Sequence, residues 1–183
     1  MRRLVLLPLG NAEATLTKKI SDKAQKILSL FIEKCEVGPR AKIPLLTYDP
    51  SRRQFNAELI LDLLIPKVEE ENLALFITDI DLFAPGLNFI FGLAQCPGRV
   101  GIVSIARLNP AFYEQRPNAA LFLKRAVKEV VHETGHLLGL GHCKNEKCVM
   151  RFSNTIFEVD EKASSFCSTC TRKLKQFTQP SQF

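Results

Sequence analysis

No stretch of this sequence approaches the ~18 to 20 consecutive apolar residues of a membrane-spanning helix, so no membrane partner is expected. The first ten residues, MRRLVLLPLG, carry a short apolar run cut by Pro8, too short for a secretory signal and without a small-residue cleavage site. The cytoplasm is therefore the expected compartment, with Leu4–Leu7 as a first strand and no room for an inhibitory propeptide before it. There is no internal repeat, no low-complexity tract, no block of Lys or Arg and no stripe of interleaved aromatics, which argues against nucleic acid as a partner. Lys and Arg (25) exceed Asp and Glu (19) for a net charge of +6, but the basic residues are scattered, as on an ordinary solvated surface.

The 183 residues, 46% of them hydrophobic, fit one globular domain, residues 1–183. Strand and helix signals alternate. After Leu4–Leu7, the positions Leu16, Ile20, Ala24, Ile27, Leu28 and Phe31 recur at helical spacing up to a stop at Gly38-Pro39. Ile43–Leu46 reads as a strand, Asp49-Pro50-Ser51 as a turn, and Asn56 to Leu64 as a helix stopped by Pro66. The wholly apolar Leu73–Thr78 has the pattern of a strand buried on both faces at the sheet centre. Leu87–Ala94 and Val100–Ala106, joined by a turn too short for a crossover, are expected to pair antiparallel near an edge. Asn118 is placed to cap a long helix reaching Leu138. On that helix Leu123, Val127, Val130, Val131, Thr134 and Leu138 form the expected core face, with Arg125, Glu129, His132 and His136 on a separate stripe. The predicted class is α/β with a mixed, twisted sheet: residues 1–138 an upper sheet-and-helix part, 139–183 a small lower lobe.

Only three histidines exist, and all lie in His132-Glu133-Thr134-Gly135-His136-Leu137-Leu138-Gly139-Leu140-Gly141-His142. A spacing of four stacks His132 and His136 on one helix face, within reach of one zinc ion. A continued helix would carry His142 away. Glycine at 139 accepts the left-handed conformation that ends a helix, so the chain can reverse and bring His142 back as a third ligand. Three imidazoles leave a fourth zinc position for water, and Glu133, offset from the ligands, is placed to take that water's proton as it attacks an amide carbonyl.

Cys35 and Cys96 are isolated and read as core residues, whereas Cys143, Cys148, Cys167 and Cys170 crowd into 28 residues. In a reducing compartment two chelating pairs favour a closed four-thiolate zinc site over disulfides, and such a site would fold a lobe with few apolar residues. Two zinc ions per chain, one catalytic and one structural, are thus expected. Met150 is the only methionine besides Met1; it could pack as an apolar floor under the histidines or be a plain core residue.

The run from His132 to Cys170, the long zinc motif followed by Cys143, Cys148, Met150 and Cys167-x2-Cys170, resembles the archaemetzincins, a branch of the metzincin clan of zinc metallopeptidases. It covers 39 of 183 residues. The resemblance implies a compact metzincin fold, Met150 as the Met-turn residue, substrate bound along an edge strand (Leu87–Ala94 here), and the zinc and base roles just given to the histidines, cysteines and Glu133. It also implies a peptide substrate and, as for some members, aminopeptidase activity. The sixteen-residue spacer before Cys167 is one shorter than the family's usual one, and neither Tyr48 nor Tyr113 follows the motif to serve an oxyanion. An unrestrained intracellular peptidase needs a narrow specificity, for short peptides or free amino termini; a monomer is expected. No acidic residue for a substrate amine can be assigned, Asp79, Asp81 and Glu114 being the candidates. Two other readings stay open: a zinc module gripping nucleic acid or protein through Arg172, Lys173 and Lys175, and hydrolysis of a non-peptide amide.

Overall fold

The structure, a computed structural model, describes residues 2–178; the last five residues of the expected lower lobe lie outside the described residues. In chain order the elements are β1 (Leu4–Leu9), α1 (Ala14–Leu28), β2 (Cys35–Val37), β3 (Tyr48–Asp49), β4 (Gln54–Asn56), α2 (Ala57–Leu64), β5 (Leu73–Thr78), β6 (Leu82–Phe83), β7 (Gly92–Ala94), β8 (Val100–Ser104), α3 (Ala119–Leu137), α4 (Ile156–Glu161) and α5 (Ser168–Thr178). The main sheet has the order β2-β1-β5-β8-β7, with β7 alone antiparallel at one edge. A second sheet, β3-β4-β6, is small.

β5 is the middle strand and all six of its residues are buried, as its uninterrupted apolar sequence requires. Leu73, Leu75 and Ile77 point to one face, where α1 and α3 pack with Ile20, Ala24, Leu28, Val127, Val130 and Val131. Phe76 points to the other, against Ile60, Leu61 and Leu64 of α2. Val149, Met150, Ile156, Val159 and Leu174, from the chain after α3, join the first of these cores.

Three expectations need correction. The first helix stops at Leu28, well before Gly38-Pro39: the amides of Phe31 and Ile32 both donate to the Leu28 carbonyl (2.8 and 3.0 Å), a tight turn that buries both side chains and lets Cys35–Val37 run parallel to β1. Phe31 mimicked helical spacing because a turn put it on the same core. Ile43–Leu46 is not a strand; Pro44 leads into a 3₁₀ turn over Leu45–Thr47, closed by the Thr47 hydroxyl donating to the Pro44 carbonyl at 2.7 Å. Of Leu87–Ala94 only Gly92–Ala94 is strand, because Ile90 bridges back to Leu82 and Arg52 donates to the Leu87 and Asn88 carbonyls (2.9 and 3.0 Å), bending the earlier part into a rim.

Candidate metal centre

α3 begins where the Asn118 side chain accepts from the Leu121 amide at 3.0 Å, a sound N-cap. It ends in a Schellman motif: Gly139 has φ +98°, its amide donates to the His136 carbonyl (2.8 Å), and the Leu140 amide donates to that of Gly135 (2.9 Å). That reversal returns His142. Its ring centroid stands 5.4 Å from His132 and 4.8 Å from His136, and one nitrogen from each of the three rings lies within 4.8 Å of the others.

The outer nitrogens orient the rings. His132 Nδ1 lies 2.8 Å from the Val149 carbonyl oxygen and His136 Nδ1 2.7 Å from that of Leu140. A carbonyl only accepts, so both Nδ1 atoms carry the proton and both Nε2 atoms present lone pairs. Those Nε2 atoms are 3.1 Å apart, with no proton between them, an arrangement a shared cation relieves. Burial pushes His132 well below the ordinary imidazole value, helped by the charge of Lys162; burial likewise lowers His136 and His142. Neutral imidazole is the form that binds metal.

Glu133 is almost fully buried beside this cluster. Burial raises its carboxyl well above the ordinary range, with Glu129 adding to the effect and Lys162 opposing it. A side chain at Gly92 would overlap the Glu133 carboxylate, so the two elements meet in close contact. Met150 fills the corresponding space at Gly135, the residue before His136.

The second cluster joins Cys143, Cys148, Cys167 and Cys170, whose sulfurs also lie within 4.8 Å of one another, all as free thiols. Backbone amides of Asn145 and Cys167 donate to the sulfurs of Cys143 (3.5 Å) and Cys148 (3.3 Å). Burial alone would raise the Cys167 thiol, but amide and thiol hydrogen bonds outweigh it and bring it to about 7, toward the thiolate that a metal binds. His142 and Cys143, adjacent in the chain, serve the two different clusters.

A cleft of about 520 Å³ opens over the histidines, walled by β7 and the rim before it on one side and by Phe152, Ser153 and Asn154 on the other, with Glu129 and Lys162 among its lining. Among the described residues, β7 pairs only with β8, so its outer edge carries no strand partner. The stripe of α3 that carries the histidines is not a solvent face: Arg125 (2%), Glu129 (3%) and His132 (5%) are as buried as the core, because the segment after the Met150 turn covers them. Cys35 is core, but Cys96 is exposed at the cleft, its thiol donating to the Leu140 carbonyl at 3.3 Å. None of Asp79, Asp81 and Glu114 lines the cleft; Asp81 is held by Arg107 at 2.7 Å. Glu129 and Lys162 are the charged cleft residues that sequence reasoning gave no role. Glu129 shared the histidine stripe, a usable signal, whereas nothing local marks Lys162.

Residues 54–176 match the profile described as Peptidase family M54. The archaemetzincin of Methanocaldococcus jannaschii is 41% identical over 173 residues, covering 94% of this chain and 93% of that protein. Among crystal structures, the archaemetzincin of Methanopyrus kandleri superposes with a TM-score of 0.85 at 40% identity, covering 96% of this chain and 94% of that one. That of Archaeoglobus fulgidus, complexed with malonate, gives 0.79 at 36% identity, covering 93% and 99%.

Proposed function

This chain belongs to peptidase family M54, the archaemetzincins, and is a zinc metallopeptidase; on that premise we propose that His132, His136 and His142 hold the catalytic zinc and that Glu133 is the general base of peptide hydrolysis. Zinc in such a site supplies a Lewis acid for the scissile carbonyl and makes water acidic near neutral pH. Glu133 takes a proton from the attacking water as its oxygen bonds to the carbonyl carbon, holds it, and passes it to the leaving amine as the C–N bond breaks. The inward Nε2 lone pairs of His132 and His136 are the single observation that carries this reading.

The four thiols suit a closed, structural zinc, giving two ions per chain and stapling residues 139–183 to the upper part, 1–138, of one domain. Met150 supports the histidine helix at Gly135. Reduced thiols in that cluster fit a cytoplasmic setting. The free edge of β7 suits a substrate lying in the cleft as an added strand, its backbone paired and its side chains alternating into pockets. A walled cleft favours short or amino-terminal substrates. The test is a matched pair of peptides, one with a free and one with an acetylated amino terminus. Cleavage of the free form alone supports amino-terminal trimming, and equal cleavage of both contradicts it.

A further inference from the structure

The three histidines are not held alike. His132 and His136 each set an outer nitrogen against a backbone carbonyl, of Val149 (2.8 Å) and Leu140 (2.7 Å), whereas among the described residues the His142 ring makes no hydrogen bond. His142 is also the most exposed of the three. The chain leading to it is loosely packed, since a side chain at Gly141 would meet nothing within 4 Å. Besides the other two imidazoles, the aromatic ring standing against His142 is that of Phe152, at 61° to it with centroids 4.9 Å apart.

Phe152 is itself firmly placed. The Cys143 amide donates to the Met150 carbonyl (2.9 Å) and the Arg151 amide to that of Cys148 (3.0 Å), which lays the chain before Phe152 alongside His142 and Cys143. After it, the amides of Asn154 and Thr155 donate to Glu158 Oε2 (2.6 and 3.0 Å) at the start of α4. The ring lines the cleft, is 43% exposed and belongs to neither hydrophobic core.

A ligand that must find one rotamer at the moment of binding loses conformational freedom there, and metal affinity falls with it. A hydrogen bond to the outer nitrogen is the usual means of fixing a ligating imidazole beforehand. An aromatic neighbour in tilted, edge-on contact can do the same through dispersion and its quadrupole. Phe152 has no proton to give or take, so orientation is what it can supply.

We propose that Phe152 is the positioning residue of the third ligand. Its ring holds the His142 imidazole toward His132 and His136, in place of the hydrogen bond those two have, and so sets how firmly the histidine site keeps its zinc. The inference deepens the metallopeptidase reading and rests on its assignment of the three histidines as ligands.

The test dialyses zinc-loaded native protein, Phe152→Ala and Phe152→Tyr against graded concentrations of a zinc chelator and measures zinc retained per chain by elemental analysis. Refilling with cobalt(II) identifies the emptied site, because thiolate-to-cobalt charge transfer marks the cysteine cluster and is absent from a histidine site. Phe152 is half-exposed, so its truncation leaves no closed void and the fold is retained. In Phe152→Ala the histidine-site ion is expected to leave at about tenfold lower chelator, with the cysteine-site ion held as in the native protein. Phe152→Tyr, which keeps the ring, is expected to hold both ions at least as firmly as the native protein. Native retention in Phe152→Ala overturns the proposal, as does equal weakening of both ions, or a Phe152→Tyr that loses zinc as readily as Phe152→Ala. A native protein that takes up metal at the cysteines alone overturns the histidine-site assignment itself, and the proposal with it.

Discussion

The Glu133 carboxylate occupies the space that a side chain at Gly92 would fill: a Cβ built there would overlap Oε1. A residue of the edge strand thus sets the position of the proposed base on α3, and only hydrogen at that Cα leaves the carboxylate where it is. Gly92→Ala is expected to displace Glu133 and lower kcat by about 10²-fold, since displacements near 1 Å have effects of that order. Steady-state kinetics with zinc content measured alongside checks this; native kcat with native zinc would show the contact to be dispensable.

Gly135 and Met150 make an analogous pair, with the Met150 thioether in the place of a side chain at 135. Gly135→Ala is expected to destabilise by about 1–3 kcal/mol through overpacking, against less than about 1.5 kcal/mol for the volume-conserving Met150→Leu. Urea midpoints compare the two, and a larger loss in Met150→Leu would contradict the packing argument.

Removing one thiol should separate the two metal sites. Cys148→Ser, at a fully buried position of the cysteine cluster, is expected to leave one zinc per chain and to cost several kcal/mol, roughly 10 °C in Tm. Elemental analysis and calorimetry give both readouts; two retained zincs with an unchanged Tm would refute a structural role.

Cys35 carries a pH signature far from either metal cluster. Burial pushes its thiol from 9.0 up to about 11, opposed by a hydrogen bond from Ser21. The folded state keeps the proton longer than the unfolded one, so this contribution is full below pH 9 and is lost as pH rises through about 11. Against Cys35→Ala, the native protein should lose roughly 2–3 kcal/mol of its relative stability across that window. A pH-independent difference would contradict it.

The histidine cluster was legible in the sequence because its geometry is local: a spacing of four on a helix and a glycine at the turn define it almost alone. β5 was legible for a similar reason, since a strand buried on both faces must be apolar throughout. The rest depends on distant chain. Arg125 and Glu129 share the histidine stripe, apart from the expected core face, and no nearby residue announces that α4 and Lys162 cover it. Gly92 appeared only as part of a strand, because its role is to be absent where Glu133 arrives. The rim before β7 was misread because Arg52, from the turn between β3 and β4, bends it.

The most direct test of the account compares peptide cleavage by the zinc-loaded native protein with Glu133→Gln at equal zinc content. The account predicts cleavage by the native protein and a rate about 10²- to 10⁴-fold lower in the variant, with both zincs retained. A variant that cleaves at the native rate with its zinc in place would contradict the assignment of Glu133 as the base.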